Sequence, residues 1–285
     1  MGLNKKILII GGNSNLGESF SIYLKNKKKK FIKTSRRKKS KIFMNLNKIE
    51  KFDIPKNISS AVIFAYQNNI NVCEENYRKT YKVNVTNMVY LIKKLLIKKI
   101  FVLFISTNLV FNNSKKQRFE NSLKAPVTNY GYMKSKCENE ILQFCLKNNL
   151  RNYFSILRIS KVLSPNLDPV KTWKRNFSKK TYTLVPTDIF CCPIDLKTLN
   201  KTIFNIVKNL YSGIYHLTGS KEYTYYDLAK KIFNDKKYFL PIHSKNLPKK
   251  IYNSKIKTFL SIGKSSKKIG IKKVPLTVIK RISLQ

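Results

Sequence analysis

Acidic residues are scarce in this chain: 14 Asp and Glu stand against 58 Lys and Arg over 285 residues, for a net charge of +44. Histidine is scarcer still, at two residues (His216 and His243), and the five cysteines (73, 137, 145, 191 and 192) include no C-x-x-C pair. That set excludes a zinc centre of ordinary ligand spacing and fits free thiols in a reducing cytoplasm. Long apolar runs are missing too. The most tempting stretch, 88–105, is broken by two Lys pairs, and its last uninterrupted run, 100–105, falls far short of the roughly 20 residues a bilayer span needs. The four apolar residues before Gly11-Gly12 are too few for a secretory h-region. No internal repeat and no Gly/Ser/Pro linker divides the chain, so one large α/β unit or two closely joined domains is expected.

What is there in quantity is lysine. Eight of the basic residues are Arg, which leaves 50 Lys, spread over the whole length. Such a balance invites a nucleic-acid partner, because basic side chains release counterions from phosphates. Recognition surfaces favour Arg, however, and Lys, Asn and Ile share A/T-rich codons, so codon bias accounts for the excess better. A basic surface would still draw anionic substrates toward it. Hydrophobic residues make up 42% of the chain, normal for a globular protein.

Along the first 160 residues short apolar runs alternate with helix-like stretches. The expected strands are 6–10, 31–34, 41–44, 60–65, 100–106 and 154–158, and helical spacing covers 16–27, 72–97 and 131–148. Alternation of this kind predicts an α/β fold, a Rossmann-type doubly wound parallel sheet. From about 165 the pattern loosens, with helices over 195–210 and 224–234 and a strand over 213–217. The expected division is 1–165 as the NAD(P)-binding domain and 166–285 as a smaller substrate-binding lobe, partly interleaved with the sheet.

The first strand runs into GGNSNLG, residues 11–17, and then into an amphipathic helix. Gly11 and Gly17 stand where a dinucleotide loop needs glycine for a tight turn and a close approach to pyrophosphate. Ser14 occupies the middle position, small enough to fit and able to donate its hydroxyl to phosphate. After the second strand there is no carboxylate for a ribose 2′-hydroxyl; Ser35-Arg36-Arg37 stands there instead, which favours a 2′-phosphate and thus NADPH, with NADH as the alternative.

Residues 126–138 read PVTNYGYMKSKCE. Tyr130 and Lys134 are spaced i, i+4, so a helix places them on one face. An ammonium beside a phenol stabilises the phenolate and lowers a pKa otherwise near 10, which lets the tyrosine exchange a proton with a substrate oxygen. Thr107 follows the apolar run 100–106 at the strand end where α/β sheets place ligands, and its hydroxyl could steady a carbonyl oxygen.

These motifs, together with NVCEEN at 71–76, KVNVTN at 82–87, FISTNLVF at 104–111, SILRIS at 155–160, GIYHLTG at 213–219 and SKKIGIKKVP at 266–275, make the chain similar to the extended short-chain dehydrogenase/reductases. It resembles most closely the dTDP-4-dehydrorhamnose reductase (RmlD-like) branch, over nearly the whole chain. The resemblance implies that Tyr130 is the general acid at a sugar C4 keto oxygen, that Lys134 tunes it and holds the nicotinamide ribose, and that Thr107 orients the carbonyl. It further implies that Gly11, Ser14, Asn15, Leu16 and Gly17 line the pyrophosphate, that Asn45 stands where the family often has an adenine-contacting Asp, and that Ala65 lies along the cofactor. Departures are Asn108 for an acid, Leu109 for an aromatic, Ser14 for Gly, and Tyr66 where a small residue is usual.

The expected activity is NADPH-dependent reduction of a 4-keto nucleotide sugar in the cytoplasm, in polysaccharide biosynthesis, without membrane or metal, and with a homodimer as one assembly it allows. An epimerase or dehydratase of the same superfamily is an alternative, disfavoured by Arg36-Arg37; a non-catalytic NADP-binding scaffold and a nucleic-acid binder are the others. Arg158, Trp173, Lys174 and Arg175 are candidates for a substrate pyrophosphate, against a solvated basic stretch around one packed Trp. Cys191-Cys192-Pro193 reads as a buried turn and His216 as structural.

Overall fold

A computed structural model of the chain describes residues 5–37, 40, 42–112, 114–233, 237–247 and 258–275. Its centre is a six-stranded parallel sheet in the order β2-β1-β3-β4-β6-β11, the doubly wound arrangement expected. These strands are β1 (Lys6–Ile10), β2 (Phe31–Lys33), β3 (Ile58–Ile63), β4 (Phe101–Thr107), β6 (Phe154–Ile159) and β11 (Gly213–Leu217). The chain builds outward from β1 to β2 and then returns to the other side of β1 as β3, so the direction of winding reverses between β1 and β3. Ligands of open α/β sheets bind at the carboxyl ends of the strands flanking such a reversal. β4 and β6 are buried at every position, which is why they read as continuous apolar runs: helices cover both faces.

The helices are α1 (Asn15–Asn26), α2 (Ile70–Glu75), α3 (Tyr77–Tyr81), α4 (Met88–Ile97), α5 (Asn129–Lys147), α6 (Val170–Ser178), α7 (Leu196–Asn209), α8 (Tyr225–Phe233) and α9 (Gly263–Ile269). Two expectations need correction. The stretch 72–97 is not one helix: Asn76 leaves helical geometry at φ −123°, ψ 49°, and residues Lys82–Asn87 form a π-turn. The wide turn carries Asn84 inward, where its amide clamps the backbone of Gln67, donating to the carbonyl at 3.0 Å and accepting from the N–H at 2.8 Å. Of the expected strand 41–44, residue 41 lies outside the described residues, and 42–44 form no strand: only a parallel bridge between Ser35 and Phe43 is present, because the chain turns at once into a short helix capped by Asn45.

By contact density the chain forms two units that alternate along the sequence. One contains the residues up to Val110, Thr128–Arg158 and Asn200–Tyr215; the other contains Phe111–Val127, Ile159–Leu199 and the residues from His216 on. Among its described residues the second unit holds four two-stranded pairs: β5 (Ser114–Arg118) with β14 (Thr258–Leu260), β7 (Val162–Leu163) with β10 (Ile194–Asp195), β8 (Thr183–Pro186) with β13 (Phe239–Ile242), and β9 (Phe190–Cys191) with β12 (Tyr223–Thr224). Trp173 sits in its core against Tyr225 and Phe239, so it is a packing residue, not a ligand contact. Lys174 and Arg175 lie exposed on α6. Cys191 and Cys192 are buried thiols, each pushed up to about 12 chiefly by burial. His216 is fully buried, its Nδ1 2.9 Å from the Ser261 carbonyl and its ring edge-on to Phe111. Among the described residues no helix is long and apolar enough to cross a membrane, and no group of three or more His, Cys, Asp or Glu could hold a metal.

In the first unit one ion pair is fully buried. Arg158 of β6 donates through Nη2 to Glu138 Oε2 at 2.8 Å and through Nε to both carboxylate oxygens, while Ser106 Oγ of β4 donates to Glu138 Oε1 at 2.5 Å. Arg158 is thus committed inside the sheet and is withdrawn as a pyrophosphate ligand. A buried carboxylate left without its cation is costly, so Arg158→Met is expected to lose about 3–5 kcal/mol in urea denaturation. Glu138→Leu/Arg158→Met should recover most of that loss, and an equally unstable double variant would show that volume, not charge, sets the cost.

Candidate active site

The loop after β1 is shaped by what cannot fit in it. Gly11 has φ +81°, a left-handed conformation that disfavours any side chain, and a Cβ there would lie 2.6 Å from the Ala65 nitrogen. A Cβ on Gly17 would lie 2.4 Å from the Gly11 carbonyl oxygen, so glycine alone lets α1 start this close to the strand end. Ala65 is held there by its own N–H, which donates to the Ile10 carbonyl at 3.0 Å. In the ligand-free chain Ser14 braces its own loop. Its hydroxyl donates to the Gly11 carbonyl at 2.7 Å and accepts from the Gly17 N–H at 3.2 Å, making it the N-cap of α1 and the internal brace of the loop. Asn15 and Leu16 begin the helix whose N-terminal end presents positive partial charge to an anion.

The end of β2 is tied to this loop. Thr34 Oγ1 accepts from the Gly11 N–H, and Asn13 donates its side-chain amide to Ser35 Oγ at 2.7 Å. Ser35 Oγ also accepts from the Arg37 N–H, and the Arg36 and Arg37 side chains stand exposed just beyond. Asn45 lies two residues past the Ser35–Phe43 bridge, its side-chain oxygen occupied as a cap for the Asn47 N–H. The loop, the two arginines and Asn45 therefore converge at one end of β1 and β2.

Tyr130 and Lys134 lie on the first turns of α5, which Thr128 caps by accepting from the Gly131 N–H at 3.0 Å. A Cβ on Gly131 would come within 2.2 Å of the Leu109 carbonyl oxygen, so glycine lets the helix start press onto the turn that follows Thr107. Thr107 Oγ1 accepts from the Leu109 N–H at 3.2 Å and leans toward Asn108 Oδ1 at a long 3.4 Å, which leaves its hydrogen redirectable to a ligand.

Lys134 is buried and donates to the Ile105 carbonyl at 2.7 Å, with its ammonium 3.6 Å from the centre of the Tyr66 ring and 4.3 Å from that of Phe104. Burial pulls its pKa down to about 7, while Cys137 and Glu138 oppose the fall. Tyr130 moves the other way from the expectation that Lys134 would lower it. Burial, with a smaller contribution from Cys73, raises its phenol well above the ordinary value, and the ring of Tyr66 packs edge-on against it at 5.7 Å. Tyr130 therefore holds its proton firmly at neutral pH in the ligand-free chain. Neither Asn84 nor Tyr66 announces a role in the sequence. Asn84 was nonetheless legible as the polar residue of KVNVTN, and Tyr66 as the bulky residue in place of a small one.

The family described as RmlD substrate binding domain matches residues 5–276. No curated protein sequence matches the chain significantly. Among solved structures, a dTDP-4-dehydrorhamnose reductase from Clostridium acetobutylicum is 23% identical, with TM-score 0.82 over 97% of this chain and 98% of its own. The dTDP-4-dehydrorhamnose reductase of Bacillus anthracis, in complex with NADP, is 19% identical with TM-score 0.84 over 99% of both chains. That of Yersinia enterocolitica is 19% identical with TM-score 0.82 over 98% of both. At these identities the structures establish a shared fold.

The depressed Lys134 value carries a pH signature. Above about pH 7 the folded chain holds the neutral amine, whereas the unfolded chain keeps its ammonium to about pH 10. The unfolded state binds more protons across that window, so this residue makes stability rise with pH through it. In paired urea titrations, the stability difference between wild type and Lys134→Met should move in the wild type's favour from about pH 7 to about pH 10. A difference constant across pH would mean that Lys134 titrates as it does in the unfolded chain.

Proposed function

The chain belongs to the RmlD substrate-binding-domain family, and from that premise we propose that it is an NADPH-dependent oxidoreductase reducing the 4-keto group of a nucleotide sugar. The observation that carries this reading is one juxtaposition. The turn after Thr107, the face of α5 bearing Tyr130 and Lys134, and Ala65 beside Gly11 all gather at the carboxyl ends of adjoining strands of a doubly wound sheet. Nothing in packing alone asks for a hydroxyl, a phenol and an ammonium in that arrangement.

The cradle fits a dinucleotide: Gly11 and Gly17 leave no room for side chains where the loop meets α1, and such a helix start suits a pyrophosphate. Gly11, Asn15, Leu16 and Gly17 would hold the pyrophosphate, with Ser14 supporting the loop instead of touching the ligand. Arg36 and Arg37, exposed beside Ser35, favour the 2′-phosphate of NADPH over NADH, in keeping with the NADP found in the Bacillus anthracis structure. Asn45 and Ala65 would flank the adenosine and the remainder of the cofactor. The bound cofactor supplies the hydride.

The chain's own residues handle the proton. Tyr130 Oη, kept protonated by burial, gives its hydrogen to the carbonyl oxygen as that oxygen gains charge. Thr107 Oγ1 turns its hydrogen from Asn108 to the same oxygen, a donor placed before the reaction begins. The resulting phenolate needs a cation, and Lys134 on the next turn of α5 supplies it once a ligand draws the ammonium from the Ile105 carbonyl. Asn108 and Leu109 adjoin this oxygen's site and are the residues through which sugar preference would be set.

Two measurements test the reading. Isothermal titration should give micromolar NADPH binding that weakens at least tenfold, about 1.4 kcal/mol, in Arg36→Ala/Arg37→Ala, with NADH affinity little changed. Tyr130→Phe should lower turnover of a 4-keto nucleotide sugar by roughly 100-fold or more while leaving NADPH affinity intact. Absence of binding of either cofactor at millimolar concentration would overturn the proposal.

A further inference from the structure

The second unit turns an apolar sheet face to solvent. β8 and β13 pair in parallel, with Leu184 opposite Leu240 and Val185 opposite Pro241. The inward side chains Val185 and Phe239 are buried in the core that holds Trp173, with Phe177 packed against it. A strand sends alternate side chains to opposite faces, so a sheet covered on one side ordinarily carries polar residues on the other. Here the outward positions are Leu184 and Leu240, 45% and 40% exposed, and Tyr182 just ahead of β8 is 60% exposed. Tyr182 leans on Tyr238 with ring centres 5.8 Å apart, which extends the patch toward the start of both strands. Neither strand pairs with a third among the described residues. Contiguous exposed apolar side chains of this kind mark a docking surface.

The charge around the patch selects its occupant. Residues 174–187 contain Lys174, Arg175, Lys179 and Lys180 and no acid, and residues 237–247 contain Lys237 and Lys245 and no acid. The acid that follows the first stretch, Asp188, is turned onto the Ser244 N–H and hydroxyl and onto His243. Asp235, ahead of the second, lies outside the described residues. Lys179 and Lys180 form the turn that leads to Tyr182, and Lys237 precedes Tyr238, so three exposed lysines stand at the tyrosine end of the ladder. A second copy would bring the same lysines together, adding repulsion to a chain of net charge +44. A protein partner is poorly matched as well, since lysine is depleted at protein interfaces. An anionic bilayer suits all three residue types: lysines meet headgroup phosphates, tyrosine rings settle at headgroup level, and leucines enter the acyl boundary. We propose that the outward face of the β8–β13 pair is a docking surface for an anionic lipid bilayer, on which the chain lies without spanning it. Two leucines bury too little to hold the chain alone, so attachment is reversible and needs both the apolar and the charged contact.

The test is co-sedimentation of the full chain with phosphatidylcholine vesicles, with and without phosphatidylglycerol, at physiological and at raised salt. Wild type is expected on the phosphatidylglycerol vesicles alone, and to leave them as salt rises. Leu184→Ser/Leu240→Ser, which changes no charge, should weaken binding about fivefold or more. Lys179→Gln/Lys180→Gln/Lys237→Gln should weaken it about tenfold or more. Lys27→Gln/Lys28→Gln/Lys29→Gln, an equal loss of charge at exposed positions just after α1, should leave it within about twofold of wild type. The lysine variants alter only exposed side chains, so their comparison decides the matter even where the leucine variant unfolds. No binding by wild type, equal loss in the two lysine variants, or undiminished binding by a folded leucine variant overturns the proposal, the last two by reducing the attraction to net charge alone. A wild-type dimer in analytical ultracentrifugation that the leucine variant dissociates also overturns it, since a second copy would then occupy the face. None of these outcomes touches the reductase reading, which the NADPH titration decides.

Discussion

A carboxylate buried at the centre of the first unit governs the geometry of everything around it. Glu138 is fully buried, and an ionised carboxylate in such a place survives only with its charge and lone pairs matched. Arg158 supplies the cation from β6 and Ser106 a hydroxyl from β4, so a residue of α5 is bonded to two neighbouring strands at once. Glu138 lies four residues after Lys134, which lies four after Tyr130, so all three share one face of the helix. Fixing the rotation of α5 at Glu138 therefore fixes which way Tyr130 and Lys134 look.

The end of β4 extends the same logic. Three successive residues each secure a different part of the site: the Ile105 carbonyl holds Lys134, Ser106 holds Glu138, and Thr107 braces the turn at Leu109. The alternation of a strand sends consecutive side chains to opposite faces, so Ser106 can face the helix while Thr107 serves the turn. Gly131 then lets α5 settle onto that turn with no side chain between them.

The scarcity of acids gives the few that are buried a clear role. Besides Glu138, Glu120 accepts from the Ser265 N–H and hydroxyl, and Asp188 accepts from the Ser244 N–H and hydroxyl. Asp195 caps α7 through the Thr198 N–H. In a chain of net charge +44, these carboxylates satisfy buried or terminal donors, and Glu120 and Asp188 fasten segments that are distant in sequence.

Much of the fold was legible beforehand because its signals are local. Strand 213–217, the bounds of α1 and α5, and the apolar runs of β1, β4 and β6 follow from periodicity and capping, which neighbouring residues decide among themselves. The doubly wound parallel sheet follows from the alternation of strands and helices, and the spacing of Tyr130 and Lys134 on one helical face from helix geometry. What misled was chemistry that depends on distant partners. Arg158 looked like a ligand arginine until Glu138 claimed it, and Tyr130 was expected to be acidified until burial raised its pKa. The π-turn at Asn84 likewise answers to Gln67, seventeen residues away. The sequence by itself determined the main strands of the central sheet, the helices α1 and α5 and the identity of the reactive side chains, since these rest on local propensity and pattern. Only the tertiary structure decided the charge state and hydrogen-bonding commitments of those side chains, since both depend on burial and on partners that the fold alone brings near.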